Sequence, residues 1–395
     1  MNRIAYLVSD YFAPSHTFVR REIAALRKLE IEIIPFTVQS AAGGGEDVQS
    51  LLGRPLLDYF SALLRAFFKY PLRLGSSWLL SLRHRQPGAR GLLWSQFHFV
   101  EAICLARLLS AENCTRLHNH FANSGATVGM IAADFNKIPW SVTLHGISET
   151  DFPAGMLLPE KLERADFVAC ASYFMRAQAM RLVPTSHWPK MHIIRGGVDL
   201  SSLPPAKTTH LHSDKSDSVK LLCVGRLSPE KGYFGLLDTL ARLAAEGLDF
   251  SLTIVGDGPS ADEIHAKVAA LALSDRVRFT GALPEAETLT EISHCDIFLL
   301  PSLMEGLPVV LIEALAMQKA AIASRVAGIP ELIEDGRSGL LFTPSDWADL
   351  ERQLRHLFSD ESLCETLGEQ GNAIVKSEFD IMIPAQILAR LFKAS

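Results

Sequence analysis

The chain has 395 residues, long enough to split into two domains rather than one core, and its 48% hydrophobic and 21% charged residues are an ordinary globular balance. A formal net charge of −6 argues against a nucleic-acid-binding protein. The six cysteines (Cys104, Cys114, Cys170, Cys223, Cys295 and Cys364) form no CxxC or Cys/His cluster, so they read as buried free thiols of a reducing compartment. No run of about 18 apolar residues is free of charge, so no membrane span is expected. The opening MNRIAYLVSD reads as a first strand rather than a leader, and the expectation is a cytoplasmic protein.

In the first half, strands are expected at 4–8, 31–36, 116–119, 141–144, 167–171 and 192–194, with helices near 16–29, 92–110, 124–135 and 173–182. Residues 40–91 interrupt this alternation with the glycine-rich AAGGGED and then a basic segment. Residues 51–100 hold seven Arg and Lys against the single acid Asp58, a net +6, interleaved with Tyr59, Phe60, Phe67, Phe68, Tyr70 and Trp78. Such a stretch can rest on an anionic membrane surface, or it can be a helical insertion that packs its apolar side on its own domain. The polar KTTHLHSDKSD has no periodicity and reads as a linker.

The second half alternates more cleanly. Strands are expected at 219–225, 250–256, 277–281, 296–300, 320–323 and 339–342, with helices near 230–246, 260–273, 285–294, 308–318 and 347–358. Apolar strands alternating with helices mean α/β architecture: two doubly wound, Rossmann-like domains facing a central cleft, with ligands at the carboxyl ends of the strands. The expected domains are 1–206, a linker 207–218, and 219–376, with a C-terminal helix in 377–395 packing back on the first domain.

Three motifs carry chemistry. VGRLSPEKG places Arg226 and Lys231 around a strand-to-helix turn, a fork and a point charge suited to a diphosphate; a surface loop with two solvated cations is the alternative. IVGDGP ends a strand, and Gly256 there leaves room for a nucleotide base. It is not a GxGxxG fingerprint, which disfavours a dehydrogenase. SLMEGLPVVLIEALA puts Glu305 before a turn, Pro308 at the first position of a helix, and Glu313 inside that apolar helix. A buried carboxylate needs donors: the adjacent hydroxyls of a ribose would serve, as would a buried Arg or Lys. His145 follows a strand end and faces the cleft, with a satisfied loop histidine as the alternative. His118 and His120 are expected to alternate across their strand, so that at most one faces a ligand, and their spacing is too weak to argue a metal.

VGRLSPEKG, IVGDGP, FTGALP and PSLMEGLPVVLIEALAMQKAAIASRVAGIPELIEDGRSGLLF together resemble the retaining glycosyltransferases of family 4, which have the two-domain GT-B fold; the match is dense over 219–345. Glu305 and Glu313 fit that family's E-x7-E motif. The resemblance implies Arg226 and Lys231 on the donor diphosphate, Glu313 on the ribose, and Glu305 on the donor sugar. It also implies the backbone amides of Gly306, Leu307 and Val309 on sugar and phosphate. In the first half, SHTFVRREIAAL, LHNHFANSGATVGMIAADFNKIPWSVTLHG and IIRGGVD are similar to exopolysaccharide glycosyltransferases of the colanic-acid and amylovoran type. His16 stands where those carry an acid. Thr143-Leu-His145 matches their T-x-H segment, which implies that His145 orients the donor sugar. The residues after it, Glu149 and Asp151 among them, depart from that group's pattern.

The implied function is transfer of a sugar, with retention, from a nucleotide-diphosphate sugar to a glycan acceptor, lipid-linked, in exopolysaccharide or related surface-glycan synthesis. No cofactor or metal is implied beyond that donor, and 51–100 would contact the inner face of the cell membrane. Competing readings are another GT-B enzyme, such as a nucleotide-sugar epimerase or a phosphorylase, or a non-catalytic glycan-assembly subunit.

Overall fold

A strand that is apolar on both faces needs cover on both, and helices supply it. The computed structural model describes residues 3–13, 16–39, 48–205 and 218–394. The glycine-rich AAGGGED, Ser15 and nearly all of the stretch read as a linker lie outside the described residues. The chain divides into two compact units: Met1–Arg195 with Pro384–Ser395, and Gly196–Ile383.

The first unit holds a parallel sheet of β1 (Arg3–Val8), β2 (Glu32–Thr37), β3 (Gln49–Ser50), β4 (Cys114–His120), β5 (Trp140–Leu144), β6 (Val168–Cys170) and β7 (Met191–Ile193), in the order β3-β2-β1-β4-β5-β6-β7. Its helices are α1 (Thr17–Lys28), α2 (Leu56–Lys69), α3 (Pro71–Arg83), α4 (Gly88–Ala111), α5 (Ser124–Asn136), α6 (Leu158–Arg164) and α7 (Tyr173–Met180). The second unit holds β8 (Val219–Val224), β9 (Phe250–Val255), β10 (Val277–Gly281), β11 (Ile297–Leu300), β12 (Ala320–Ser324) and β13 (Leu340–Phe342), also parallel, in the order β10-β9-β8-β11-β12-β13. Helices α8 (Tyr233–Ala245), α9 (Ala261–Ala270), α10 (Glu285–His294), α11 (Val309–Ala316), α12 (Trp347–Ser359) and α13 (Glu361–Glu378) cover it. The two doubly wound, Rossmann-like units are thus those read from the alternation, and all six cysteines are buried free thiols.

Each sheet reverses its strand order once, between β1 and β4 in the first unit and between β8 and β11 in the second. The loops after those strands splay apart, and a crevice opens outside their carboxyl ends.

The passage between units comes at Arg195–Gly196, ahead of the polar stretch where the sequence placed the boundary. The reason is local. Val198 N donates to Phe379 O at 3.0 Å and Ile381 N to Val198 O at 3.0 Å, so this segment is bound to the end of α13. Gly197 fits there because a Cβ would lie 2.6 Å from Ile381 Cα. The last helix, α14 (Met382–Ala394), belongs mostly to the first unit, where the Phe392 ring sits 5.5 Å from His118 and 5.6 Å from Phe167.

Helices α2 to α4 settle how 51–100 packs. Helix α2 turns only Ala62 and Ala66 fully inward and leaves Phe60, Phe67 and Phe68 exposed, Phe68 to 75%. Leu56, Leu72, Trp78, Leu92, Leu93, Trp94 and Phe97 are exposed as well. The insertion therefore packs partly through small residues, with Leu80 buried and Leu63, Tyr70 and Leu74 against the core, and presents many of its large ones to solvent. Helix α4 is long and apolar enough to cross a membrane by length and composition, against the expectation of no such segment. Its Ala102–Ala106 stretch nonetheless lies buried in the first unit.

Candidate functional site

The second unit's site is built on β8 and β11, the two strands at its switch point. After β8 the chain turns through a short 3-10 segment, Pro229–Lys231, to Gly232 at φ +72. A Cβ on Gly232 would lie 2.0 Å from Pro301 O, so only glycine lets this turn approach the end of β11. Leu303 N donates to Glu230 O at 2.7 Å and locks the two loops together.

That closeness pairs Lys231 with Glu305. Their Nζ and Oε1 atoms are 2.6 Å apart, and Ser302 Oγ donates to the same oxygen at 2.6 Å. The resemblance implied separate duties for these two side chains; here each also holds the other in place. Arg226 is exposed; among the described residues its guanidinium makes no hydrogen bond or salt bridge, and the acid its charge acts on is Glu230.

After Glu305 the chain enters α11. The helix begins at Val309, with Pro308 one position ahead as its cap rather than its first residue, because Pro308 keeps an extended ψ of 111°. Pro308 O still accepts from Leu311 N at 3.1 Å. Among the described residues the amides of Gly306, Leu307 and Val309 meet no hydrogen-bond acceptor. Three free donors at the head of a helix form an anion cradle. Glu313 lies four residues beyond Val309, on the same helix face, and is 5% exposed.

Gly256 has a different reason from the one expected. At φ +142, a Cβ there would sit 2.0 Å from Gly225 O, so the protein's own backbone excludes a side chain. Gly225 N in turn donates to Val255 O at 2.9 Å.

His145 stands in the first unit, at the end of β5. Its Nε2 is 3.0 Å from His120 Nδ1, and its ring lies 4.7 Å from Phe18 and 4.6 Å from Phe121. Burial holds its pKa well below the usual histidine range, with His120 adding to the effect, so it is neutral at pH 7. His118 and His120 do not alternate as expected. Residues two apart share one face of a strand, and both rings pack on Tyr6, at 5.0 and 5.2 Å. Glu22, His118 and His120 bring ligand-type atoms within 4.8 Å of one another. The protein already engages that set: His118 is bonded by Ser141 Oγ and Thr143 Oγ1, both at 2.8 Å, and Glu22 by the Tyr6 hydroxyl at 2.8 Å.

Glu149, without a role in the sequence, closes the loop carrying His145. It accepts from His145 N at 2.6 Å, Gly146 N at 2.9 Å and Ala122 N at 2.5 Å. Lys161 donates to Ala122 O at 2.6 Å and Asn123 O at 2.8 Å, and burial pulls its pKa down to about 7. The residues the sequence did not single out are thus Ser302, Glu22 and Lys161. Their only sequence signal is polarity in otherwise apolar surroundings.

Known proteins share this arrangement of sequence and fold in part. The model of glycosyl transferases group 1 matches residues 210–373. Over that stretch the chain resembles the group 1 glycosyltransferases. It is 27% identical over 68% of its length to a glycosyltransferase of Methanocaldococcus jannaschii, covering 72% of that protein. It is 31% identical over 52% of its length to the amylovoran biosynthesis glycosyltransferase AmsK of Erwinia amylovora, of which it spans 51%. Among solved structures it aligns over the full length of both chains with Anabaena HepE in complex with UDP and glucose, at a TM-score of 0.76 and 18% identity. The chain therefore has the GT-B fold.

Proposed function

We propose that this glycosyltransferase takes a sugar from a nucleoside-diphosphate sugar and passes it, with retention, to a lipid-linked glycan in exopolysaccharide or related surface-glycan synthesis. The observation that carries the donor half is the cradle of three free amides, Gly306, Leu307 and Val309, beside the Lys231–Glu305 pair. A diphosphate supplies what that cradle lacks, with Arg226 and Lys231 adding positive charge. Glu313, on the same helix face, accepts from two adjacent ribose hydroxyls, and Glu305 from a hydroxyl of the sugar. HepE, bound to UDP and glucose, and AmsK, of amylovoran biosynthesis, lend support as relatives in fold and sequence.

The mechanism uses same-face attack. As the glycosidic bond breaks, charge grows on the departing diphosphate, and the amides, Arg226 and Lys231 stabilise it more than they stabilise the ground state. The departing oxygen takes the proton of the acceptor hydroxyl. The reading needs no cofactor or metal beyond the donor. The exposed apolar face of α2 to α4, ringed by Arg65, Lys69, Arg73, Arg83 and Arg90, rests on the anionic inner face of the cell membrane.

The test is a panel of nucleoside-diphosphate sugars. The true donor raises the melting temperature by mass action. With that donor, nucleoside diphosphate is released in step with an added acceptor, and NMR shows the product linkage keeping the donor's anomeric configuration. Stabilisation by no nucleotide sugar overturns the reading; conversion of the donor without acceptor points to an epimerase instead.

A further inference from the structure

The first unit contains a second built site. A cavity of about 480 Å³ opens between the start of α4 and the loop after β4. Arg85, Arg90, Trp94, His84 and Asn123 line it, and no carboxylate does. Among the described residues neither Arg85 nor Arg90 has an ion-pair partner. Asn123 and Ser124 bring the start of α5 to the same wall, whose dipole adds to the positive field.

His84 is the independent sign of a ligand. It is 2% exposed, and its Nδ1 lies 2.8 Å from Glu160 Oε2. That bond, with Arg164 beside it, pulls the Glu160 pKa down to about 2, so the carboxylate is ionised and Nδ1 must donate. Burial keeps His84 neutral, which leaves Nε2 as a bare acceptor, and Nε2 is buried with no partner in the protein. A buried acceptor of this kind calls for a hydroxyl. Two lining guanidinium groups without an acid call for an anion, Arg85 donating only to the Gln86 carbonyl at 3.2 Å.

The surroundings say what bears both. Trp94 lines the cavity and is also 49% exposed. Leu92, Leu93 and Phe97, on the same stretch of α4, are exposed too, so an apolar surface runs outward from the cavity's edge. We propose that this cavity holds the phosphorylated sugar head of an amphiphilic acceptor. Its phosphate sits on Arg85 and Arg90, a sugar hydroxyl donates to His84 Nε2, and its hydrocarbon leaves across Trp94, Leu93 and Phe97. The site deepens the transferase reading by giving its acceptor a place, yet its binding is measured with no donor present.

Farnesyl diphosphate below its micelle concentration is the probe, titrated calorimetrically into the full chain beside inorganic pyrophosphate and farnesol. The expected result is farnesyl diphosphate binding at least tenfold more tightly than either fragment, with a loss of at least tenfold in an Arg85→Gln/Arg90→Gln variant. An Arg276→Gln/Arg278→Gln variant, altered in a separate cavity of the second unit beside β9 and β10, retains the wild-type affinity. Pyrophosphate binding as tightly as farnesyl diphosphate would make this a plain phosphate site and overturn the proposal. So would farnesol binding as tightly, or an unchanged Arg85/Arg90 variant. UDP titrated into the same samples reads the donor site separately: wild-type protein that binds the lipid but no nucleotide sinks the transferase reading and leaves the cavity standing.

Discussion

Helices α2 and α8 are close in length and opposite in sense. In the second unit, α8 buries Tyr233, Leu236, Leu237, Leu240 and Leu243 against its sheet. In the first unit, α2 buries Ala62 and Ala66 and turns its phenylalanines out. The contrast extends to the sites. The second unit clusters glycines, a Lys–Glu pair and free amides at the switch point, chemistry suited to one fixed group, a diphosphate. The first unit offers neutral histidines, aromatic rings and an outward apolar face. On the proposed function this is a division of labour, with a nucleotide at one unit and a glycan and a surface at the other.

That division can be broken at either end. The largest effect is expected from Lys231→Ala. It removes a cation from the leaving group and strands Glu305 without its partner, so transfer should fall by about a hundredfold in steady-state kinetics. Unchanged kinetics would detach Lys231 from the chemistry. Next, changing Phe60, Phe67 and Phe68 together to serine should weaken binding to vesicles of phosphatidylglycerol by about thirtyfold, roughly 2 kcal/mol, without lowering the melting temperature. Undiminished vesicle binding in a sedimentation assay would reduce the outward face to an accident of packing. Glu313→Ala should raise the nucleotide dissociation constant about tenfold by calorimetry, one lost pair of hydroxyl contacts; an unaltered constant would refute the ribose contact.

The smallest effect is a slope in stability. Burial lowers the Lys161 pKa from 10.5 to about 7. Between those values the unfolded chain binds more protons than the folded one, so Lys161 makes stability rise with pH across that window. Lys161→Met should flatten the rise seen in urea midpoints between about pH 7 and pH 10. A slope equal to that of wild type would mean that the ammonium is not buried in solution.

Much of this was legible in the residues. Strand-helix alternation, six apolar strand segments in the second half, and the motifs around Arg226, Lys231, Glu305 and Glu313 were readable because each is local: a strand, a turn and a helix start occupy a few consecutive positions. The first unit's site was not. Glu22 reaches His120, and Lys161 reaches Glu149, only after α1 and α6 pack on the sheet, and no spacing along the chain records that. His118 and His120 were misjudged on a local rule, the two-residue period of a strand.

The sequence by itself determined the fold class and the local motifs that hold Arg226, Lys231, Glu305 and Glu313, because strand periodicity and loop motifs are short-range properties. Tertiary structure alone decided that Lys231 holds Glu305, that the passage between units precedes the polar stretch, and that the basic segment packs partly by its alanines. Each of those depends on which distant segment a residue meets, and burial, unlike periodicity, is a property of the assembled chain.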